Sequence, residues 1–539
     1  MATPRVLIVG AGPVGLSLAL DCARRDVPFR LIDSAAGPST HSKALAIWSA
    51  AQEFFAALGV LDRMSVEGLH PAGIRMSNRR RTLLRVPSGE FVDSPYPGPL
   101  ILPQSATERI LADRLTELGH RVERQVELRG LEQDDHGVSA SLVHPDGSME
   151  TQHCEYLVGC DGAHSAVRHA VGGKFEGKAR PECFILCDAE LSGKRMLPQE
   201  VFIFLSSRGV LPMFPIRERV WRVISTREAG DGTAPPTIEE MQEHLADRGP
   251  RGFTLSNPEW LSCFRISERK VARFRSGRVL LAGDAAHIHS PAGGQGMNTG
   301  LQDSLNIGWK LAGILNGGFD PERLLESYHV ERSPVAARVI AAASMRTRIA
   351  TIARSPLAIL RNGLAALAGH SEHAVARIAV SFSGTGIRYE SSPILVSDTR
   401  WHEDWHDHGY KPGSKMRDAT VYSDGAPISL LREVLSSKTH SLIIFSGRRP
   451  NYRDADAVAS IREQAAGYAS LITSWAVWRG EHGPDFSWAL DPEGSAHRRF
   501  GAEFLSICLI RPDGVVAARS QPGDFAVVQE AVRLLRQAA

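Results

Sequence analysis

The chain has 539 residues, of which 43% are hydrophobic and 23% charged, and its formal net charge is +2. This length favours about three domains, and the near-neutral charge gives no general case for binding nucleic acid or an anionic membrane. Seven cysteines without a CxxC pair argue against a disulfide framework or a zinc site and favour a reducing compartment, with Cys183 and Cys187 predicted to be packed thiols.

The sequence contains no apolar stretch of about 18 residues free of charge, so no membrane span is expected. The first apolar run is a strand and a turn rather than a signal peptide, which predicts a cytoplasmic location. Arginines and a Ser-Pro pair interrupt the helical region 341–380. We favour packing of this region against the main body over contact with a membrane or partner, and we expect the arginine triplet 79–81 to be a solvated loop.

The first informative segment is a strand, a glycine turn and a helix at the N-terminus. Residues 5–9 form a β-branched run, the turn follows, and a second strand ends at Asp33. The glycines of this turn, together with a proline, are Gly10, Gly12, Pro13 and Gly15. In such a pattern the first glycine allows the tight turn, the second admits a pyrophosphate, the third lets helix and strand pack, and the acid reaches a ribose hydroxyl. The context predicts an adenine-dinucleotide site.

Two later segments also place an acid after a buried strand. Asp161 and Gly162 follow the strand 156–159, and Gly283 and Asp284 follow a strand that begins at Val279. Ligands of doubly wound sheets gather at the carboxyl ends of the strands. An Asp-Gly pair by itself is often only a turn.

The segment after Asp284 leads through a glycine-rich turn into a helix. We expect Asn298 to cap this helix, whose N-terminus favours a negatively charged ligand atom. His287 and His289 lie in the loop, and we favour hydrogen bonding within the loop over a role in proton transfer. The turn contains Pro291, Gly293, Gly294 and Gly296.

The middle and the C-terminus differ from the dinucleotide segment. Short strands at 183–226 predict an antiparallel sheet, one face of which could wall a pocket for a flat apolar substrate. Its large apolar residues are Phe202, Phe204, Met213, Phe214 and Trp221. The C-terminal order β-α-β-β-β-α suits a small thioredoxin-like domain, but its only cysteine, Cys508, excludes dithiol chemistry there. A structural or oligomer-forming role is therefore predicted for it.

Three blocks together resemble one family. They are GAGPVG at 10–15, CDGAHSAVR at 160–168 and GDAAHIHSPAGGQGMNTGLQDSLNIGWKL from 283. In this order they resemble the single-component FAD-dependent aromatic hydroxylases, over about residues 5–340. The tail, with PGSKMRD at 412–418 and RPDGVVAAR at 511–519, resembles the phenol-hydroxylase and aromatic polyketide hydroxylase branch with a thioredoxin-like C-terminal domain.

The resemblance implies roles for individual residues. It places Gln104 on the flavin side of the cofactor and gives Asp161 and Gly162 contacts shared by FAD and the nicotinamide donor. The FAD pyrophosphate and ribose would be held by Gly10, Gly12, Pro13, Gly15 and Asp33, and the ribityl or pyrophosphate portion by Gly283 and Asp284. The isoalloxazine ring would be lined by Pro291, Gly293, Gly294, Gly296, Met297 and Asn298, with the proline and the three glycines at the catalytic centre.

Two positions depart from the family pattern. Lys43 is a candidate phosphate contact where an arginine is usual, so that a bidentate fork becomes a point charge. Ala50 replaces another usual arginine, which predicts altered contacts near the pyrophosphate. On local grounds alone a solvated lysine at 43 is equally acceptable.

The predicted fold is α/β. A Rossmann-like FAD-binding domain at 1–180 and 265–390 is interrupted by an antiparallel-sheet substrate domain at 181–264. Part of the segment 75–100 is expected to join this substrate domain. A linker at 393–415 leads to a thioredoxin-like domain without CxxC at 416–539.

The predicted function is that of an FAD-dependent monooxygenase, consuming O2 and NADPH or NADH as a transient reductant. It would hydroxylate a phenolic or polycyclic aromatic compound, polyketide-type compounds included, through a flavin C4a-hydroperoxide. Epoxidation or Baeyer–Villiger insertion by the same chemistry is the alternative. A flavin-binding protein without oxygenase activity and an NAD dehydrogenase are less favoured. No metal or nucleic acid is expected, and the protein would be a monomer or homodimer.

Overall fold

The computed structural model describes residues 4–39, 44–193, 197–227, 234–352, 355–397, 410–480 and 488–536. Its strands are β1 (Val6–Val9), β2 (Phe29–Asp33), β3 (Ala46–Ile47), β4 (Gly73–Ser77), β5 (Thr82–Pro87), β6 (Leu100–Ile101), β7 (Glu123–Arg124), β8 (Glu127–Gln133), β9 (Val138–Val143), β10 (Met149–Cys154), β11 (Tyr156–Gly159), β12 (Phe175–Gly193), β13 (Val201–Ser206), β14 (Gly209–Pro215), β15 (Val220–Arg227), β16 (Phe253–Val271), β17 (Arg275–Ser276), β18 (Val279–Leu281), β19 (His287–Ile288), β20 (Thr420–Ser423), β21 (Ala426–Ser429), β22 (His440–Phe445), β23 (Ile472–Arg479), β24 (Ala489–Asp491), β25 (Ser506–Ile510) and β26 (Val516–Ser520).

The helices are α1 (Pro13–Arg24), α2 (Ser49–Ala57), α3 (Leu61–Glu67), α4 (Gln104–Glu117), α5 (Ala166–Ala170), α6 (Ile238–Arg248), α7 (Gly296–Gly317), α8 (Pro321–Ala350), α9 (Ser355–Gly369), α10 (Glu372–Ser383), α11 (Leu430–Ser436), α12 (Tyr452–Ala466), α13 (Ser495–Phe500) and α14 (Ala526–Leu535). A 3-10 turn covers Gly283–Ala285. Within the described residues, none of these helices has the length and apolar character needed to cross a membrane.

A six-stranded sheet in the order β17-β18-β11-β1-β2-β7 forms the first layer. The strands β18, β11, β1, β2 and β7 run parallel, and the four residues of β1 are all buried, as expected for a strand covered on both faces. Helices α1 and α7 pack together on this sheet, where the Ser304 hydroxyl donates to the Val14 carbonyl at 2.8 Å. The carboxyl ends of β1, β11 and β18 therefore lie side by side.

An eight-stranded sheet in the order β19-β16-β12-β15-β14-β13-β4-β5 forms the second layer. The predicted sheet segment 181–264 supplies its centre, while β4 and β5, from before that segment, extend it at one edge. The pairing between β13 and β4 is parallel, and its other pairings are antiparallel.

The strand register divides the apolar residues of this sheet between two faces. Phe202 pairs with Met213, and both pack with Met241 and Leu245 of α6. Phe214 pairs with Arg222 and so faces the opposite side. That opposite face is covered by α9 and α10, whose residues pack against β5 and its neighbours.

One cysteine prediction is wrong. Cys183 of β12 is joined to Cys263 of β16 in a disulfide, with the two Cα atoms 6.9 Å apart. The partners are 80 residues apart in sequence, so local spacing gave no sign of the pairing. Cys187 is a buried free thiol, as predicted.

The C-terminal region forms a seven-stranded sheet in the order β21-β20-β24-β23-β22-β25-β26. The central strand β22 pairs parallel with β23 and antiparallel with β25. The sheet has more strands than the predicted β-α-β-β-β-α order, because β20, β21 and β24 add an edge. Cys508 lies buried in β25.

Buried charges join this region to the first layer. Arg511 donates to both carboxylate oxygens of Glu331 at 2.6 and 2.9 Å, and Lys310 donates to Glu331 at 2.8 Å. The Arg511 and Lys310 cations lower the pKa of Glu331, although burial opposes this. The C-terminal region is thus attached through an ion-pair cluster on α7 and α8.

Candidate functional site

The N-terminal glycine turn leaves room for a ligand at one of its three glycines. Gly10 has φ +102°, and a Cβ there would lie 2.5 Å from the Cys160 carbonyl oxygen. A Cβ on Gly15 would lie 1.9 Å from the Gly10 oxygen, whereas a Cβ on Gly12 would meet no atom within 4 Å. The first and third glycines therefore permit close packing. The space over Gly12, at the N-terminus of α1, fits a pyrophosphate.

Asp33 lies at the end of β2, beside this turn. Its Oδ2 accepts from the Ala11 N–H at 2.6 Å, and its Oδ1 accepts from the Ala35 N–H at 2.8 Å. Arg124 lies 3.7 Å from Oδ1. The carboxylate is fixed but only half-buried, as a contact to a ribose hydroxyl requires.

Asp161 is bound within its own loop. Its Oδ1 accepts from the Ser165 hydroxyl at 2.5 Å, and its Oδ2 accepts from the Val167 N–H at 3.1 Å. Burial raises the pKa of Asp161, while these hydrogen bonds oppose the rise. Gly162 adopts φ +77°, which lets the chain turn into α5. Asp161 thus shapes the loop directly beside Gly10.

Asp284 lies in the 3-10 turn after β18, and its side chain is exposed. Gly283 has φ +59°, and a Cβ there would be 2.9 Å from the Val14 side chain. This close contact brings the turn against the start of α1. The Asp284 carboxylate therefore stands at the same sheet edge as Gly12 and Asp33.

A residue that the sequence did not single out positions this turn. Asp303 of α7 is fully buried, and its Oδ2 accepts from the Gly283 N–H at 3.1 Å and from His287 Nε2 at 2.7 Å. Its Oδ1 accepts from Arg332 Nε at 2.7 Å. Burial acts to raise the pKa of Asp303, but the combined effect of Arg332 and His287 outweighs burial and lowers this pKa. The carboxylate is therefore ionised. Helical spacing places Asp303 away from the face of Leu301 and Leu305, so no pattern in the sequence pointed to its burial.

The two histidines hold the loop. His287 is buried against Asp303, and His289 donates from Nδ1 to the Ser290 carbonyl at 2.8 Å. Burial lowers the pKa of His289 to about 4, so it is neutral at pH 7. These bonds agree with the predicted role in loop structure.

The second glycine turn is closed and anchored by side chains. The Gly294 N–H donates to the Pro291 carbonyl at 2.9 Å, and Gly293 and Gly294 have φ +106° and +62°. Trp48 donates from Nε1 to the Gly293 carbonyl at 3.0 Å. Such φ values favour glycine, so the turn presents backbone rather than side chains.

Asn298 does not cap α7, contrary to the prediction. The helix begins at Gly296 after Gln295, whose side chain makes no cap hydrogen bond. Asn298 instead donates to the Ala46 and Gly294 carbonyls at 2.8 and 2.7 Å, and its Oδ1 accepts from the Trp48 N–H at 2.8 Å. The side chain joins the glycine turn to β3, a role that only the tertiary fold reveals. Met297 is half-buried beside it.

The remaining predicted cofactor contacts are placed as follows. Gln104 begins α4, where its Oε1 accepts from the Ala44 N–H at 3.1 Å and its Nε2 donates to Glu108 at 2.8 Å. Ala50 is buried in α2. Lys43 lies outside the described residues.

A small, mostly apolar cavity of about 20 Å³ adjoins the glycine turn. The rings of Trp48 and Phe382, 5.3 Å apart and stacked, form one wall, and Trp48 also binds Gly293. The other lining residues are Ser49, Ile74, Val86, Pro87, Ser88, Val92, Pro97, Pro99, Ala379 and Ser383.

The five predicted pocket residues are not brought together. Phe202, Phe204, Met213 and Trp221 pack in the core beneath α6, and Phe214 alone lies on the sheet face toward Trp48. Aligned with Phe214 on that face is a buried ion pair, in which Arg222 donates to Asp188 through two bonds of 2.7 Å.

A larger open groove of about 690 Å³ lies between β17, β18 and α8. Its arginines are neutralised, since Arg273 pairs with Glu326 at 2.6 Å and Arg275 pairs with Glu322 at 2.5 Å. It lies apart from the residues described above, so its size does not make it the site.

Comparison with known proteins identifies the family. A family model described as an FAD binding domain matches residues 3–343. The chain is 33% identical over 528 residues to 6-methylpretetramide 4-monooxygenase of Streptomyces rimosus, covering 96% of this chain and 91% of that protein. It is 28% identical to pentachlorophenol 4-monooxygenase of Sphingobium chlorophenolicum, covering 96% of this chain and 94% of that protein.

A solved structure agrees. That of OxyS anhydrotetracycline hydroxylase from Streptomyces rimosus aligns with a TM-score of 0.76 and 28% identity, covering 99% of each chain. The chain therefore belongs to the FAD-binding family of aromatic-compound monooxygenases and is an FAD-dependent monooxygenase.

Proposed function

We propose that this enzyme uses FAD, O2 and NADPH or NADH to hydroxylate a phenolic or polycyclic aromatic compound of polyketide type. One observation carries the proposal. The open space over Gly12 lies at the same sheet edge as Asp33 and Asp284, and the glycine turn after Asp284 adjoins an apolar cavity. A dinucleotide with a flat redox ring needs a pyrophosphate site at one end and a backbone-lined apolar site at the other.

The chain's residues divide the binding of FAD between them. The first turn, with Gly10, Gly12, Pro13 and Gly15, would hold the pyrophosphate, and Asp33 would accept from the ribose. Asp284 would bind the ribityl or pyrophosphate portion, with Gln104 and Lys43 as further contacts. Bound and reduced FAD would supply the chemistry by which one oxygen atom of O2 enters the substrate and the other leaves as water.

The second glycine turn would stabilise negative charge on the reduced ring. Pro291, Gly293 and Gly294 expose backbone, and α7 begins at Gly296 without a side-chain cap. The N–H groups of its first turn and the helix dipole are therefore directed at the ring site. Met297 and Asn298 support this arrangement, Asn298 through its bonds to Trp48 and Ala46.

The apolar side chains around this small cavity would pack against the substrate and exclude water. Trp48 and Phe382 offer flat surfaces at the correct place for an aromatic ring. Phe214 is the predicted pocket residue that keeps this role in the proposal. The names of the relatives, which include a pretetramide and a pentachlorophenol monooxygenase, favour an aromatic substrate.

We further propose that the C-terminal region is a thioredoxin-like domain that acts structurally, and that residues 181–264 with part of 75–100 form the substrate domain. Cys508 is buried in β25, so it cannot act as an exposed redox thiol. We place the activity in the cytoplasm, where reduced nicotinamide nucleotides are available, and we propose a monomer or homodimer.

A substrate panel tests the function. Purified protein should bind FAD and be yellow, and NADPH oxidation should rise when a suitable aromatic compound is added. A product heavier by one oxygen with intact rings supports hydroxylation. A lactone or an epoxide would favour the alternative chemistries, and FAD binding without turnover of any compound would favour a flavin-binding role.

A further inference from the structure

One region carries most of the exposed large apolar side chains. Of the thirteen that are exposed among the described residues, eight lie between 345 and 380. They are Met345 and Ile349 of α8, Leu357, Ile359, Leu360, Leu364 and Leu367 of α9, and Val380 of α10. We call these eight residues, with Arg346, Arg348 and Arg377, the α8–α10 surface. Clustered exposed apolar side chains of this number mark sites that bind a protein or a membrane.

The helix α9 has two distinct faces. Leu357, Leu360, Leu364 and Leu367 follow helical spacing and are 50–70% exposed. The opposite side packs on the eight-stranded sheet, where Ala358 is buried and Arg361 donates to the Ser206 carbonyl at 3.1 Å. The outward leucines are therefore not core residues of α9.

The same region is strongly basic. Residues 341–380 contain five arginines and a single acid, Glu372, although the whole chain has a net charge of only +2. None of Arg346, Arg348, Arg361 and Arg377 pairs with a carboxylate within the described part of the chain. Arg348 and Arg377 are exposed.

The arginine triplet lies at one end of this surface. Because β13 pairs in parallel with β4, the turn after Ser206 lies beside the turn that contains 79–81. Arg361 of α9 binds Ser206, and Arg80 and Arg81 are exposed. The sheet edge next to α9 thus adds positive charge to that of the helices.

We propose that the α8–α10 surface docks on an anionic lipid membrane. Its composition selects lipid over the other partners. All eight exposed apolar side chains are aliphatic or methionine, and none is the Trp or Tyr that anchors many protein interfaces. A second copy of the chain would bring the same unpaired arginines together across a twofold axis, which opposes association. Aliphatic residues flanked by arginines suit the interface of a membrane with anionic headgroups.

The location of this surface connects it with the site. Val380 is exposed on α10, while Ala379 and Phe382 of the same helix line the apolar cavity. A docked enzyme would hold the cavity close to the lipid, where flat apolar aromatic compounds accumulate. The advantage of holding the cavity close to the lipid rests on the proposed function, whereas the docking itself does not.

Flotation with lipid vesicles tests the docking. Wild-type holoenzyme should float with vesicles of phosphatidylcholine and phosphatidylglycerol at 70:30 and bind pure phosphatidylcholine more weakly. Binding should fall in 1 M salt, because the Debye length shrinks to about 3 Å. The variant Leu360→Asp/Leu364→Asp should bind at least about tenfold more weakly.

A matched control separates the effect of this surface from the effect of replacing exposed apolar residues anywhere on the protein. Val66→Asp/Phe504→Asp replaces two exposed apolar residues elsewhere and should float like the wild type. Both variants should retain FAD and oxidise NADPH with a water-soluble phenol, which separates failure of docking from failure of the proposed function. The proposal would be overturned if the L360D/L364D variant floated as well as the wild type, or if the wild type did not float. The proposal would also be overturned if the wild type formed a dimer that the L360D/L364D variant disrupts and the control variant does not. The surface would then bind a second copy of the chain.

Discussion

Arg332 donates from Nε to Oδ1 of Asp303 at 2.7 Å, and neither side chain is exposed to solvent. The other carboxylate oxygen of Asp303 accepts from the Gly283 N–H. This buried ion pair links α8 and α7 to the turn that carries Asp284. The position of a predicted cofactor ligand therefore depends on two residues that would not touch the cofactor.

Asp303→Asn should destabilise the protein by about 3–5 kcal/mol, because it leaves the Arg332 cation buried without a counter-charge. Since the pKa of Asp303 is lowered on folding, its ionisation stabilises the fold above its ordinary value of 3.8, and this contribution is lost as the pH falls below it. The difference between wild type and variant in urea unfolding should thus shrink below pH 4. A constant difference down to pH 3 would show that the charge is not the cause. Asp303→Leu/Arg332→Met should recover part of the loss.

Gly12→Val and Gly15→Ala should fail in different ways. A Cβ at position 12 meets no protein atom within 4 Å, so Gly12→Val should fold but weaken FAD binding on the order of 100-fold. Gly15→Ala collides with the Gly10 oxygen and should destabilise the apoprotein by about 3 kcal/mol. Thermal unfolding of the apoprotein and FAD titration check both. Normal FAD affinity in the Gly12 variant would remove the pyrophosphate from this space.

Asp284→Ala should lower the affinity for FAD by about ten- to 100-fold, since hydrogen bonds to charged groups contribute about 1.5–3 kcal/mol. Because the side chain of Asp284 is exposed, FAD retention should change far more than the melting temperature of the apoprotein. Asp135→Ala, another exposed aspartate, is the control. Flavin absorbance per protein after gel filtration measures retention, and full occupancy in the Asp284 variant would exclude this residue from the site.

His289→Gln should change stability but not the neutral-pH activity. Burial lowers the pKa of His289 from 6.5 to about 4, so between these values the unfolded chain binds a proton that the folded protein does not. Wild-type stability should therefore fall by up to about 3 kcal/mol as the pH drops from 6.5 to 4, and the variant should lack this part of the fall. Urea unfolding of the apoprotein measures it. A large loss of turnover at pH 7 would instead point to proton transfer.

The residues of the two glycine turns could be predicted from the sequence, because each requirement there is local. A tight turn, a close helix contact or a backbone-lined surface calls for glycine at a fixed position. Gly10 and Gly15 meet the packing requirement in the first turn, and Gly293 and Gly294 adopt the positive φ that the second turn requires.

Asp303 and Asn298 could not be assigned in this way. An aspartate inside a helix is ordinarily a solvated residue, and its partner Arg332 lies 29 positions along the chain. Asn298 appeared to be a helix cap, but β3 supplies the partner that decides its role. Similarly, strand alternation predicts that Phe202 and Phe204 share a face, but only the position of α6 shows which face is core.

Turnover under ¹⁸O2 tests the central claim most directly. With FAD, NADPH and an accepted aromatic substrate, the account predicts a product that carries one ¹⁸O atom on an intact ring, formed with consumption of one NADPH. A product with oxygen from water only, or NADPH consumption yielding hydrogen peroxide alone with every aromatic compound tried, would contradict it.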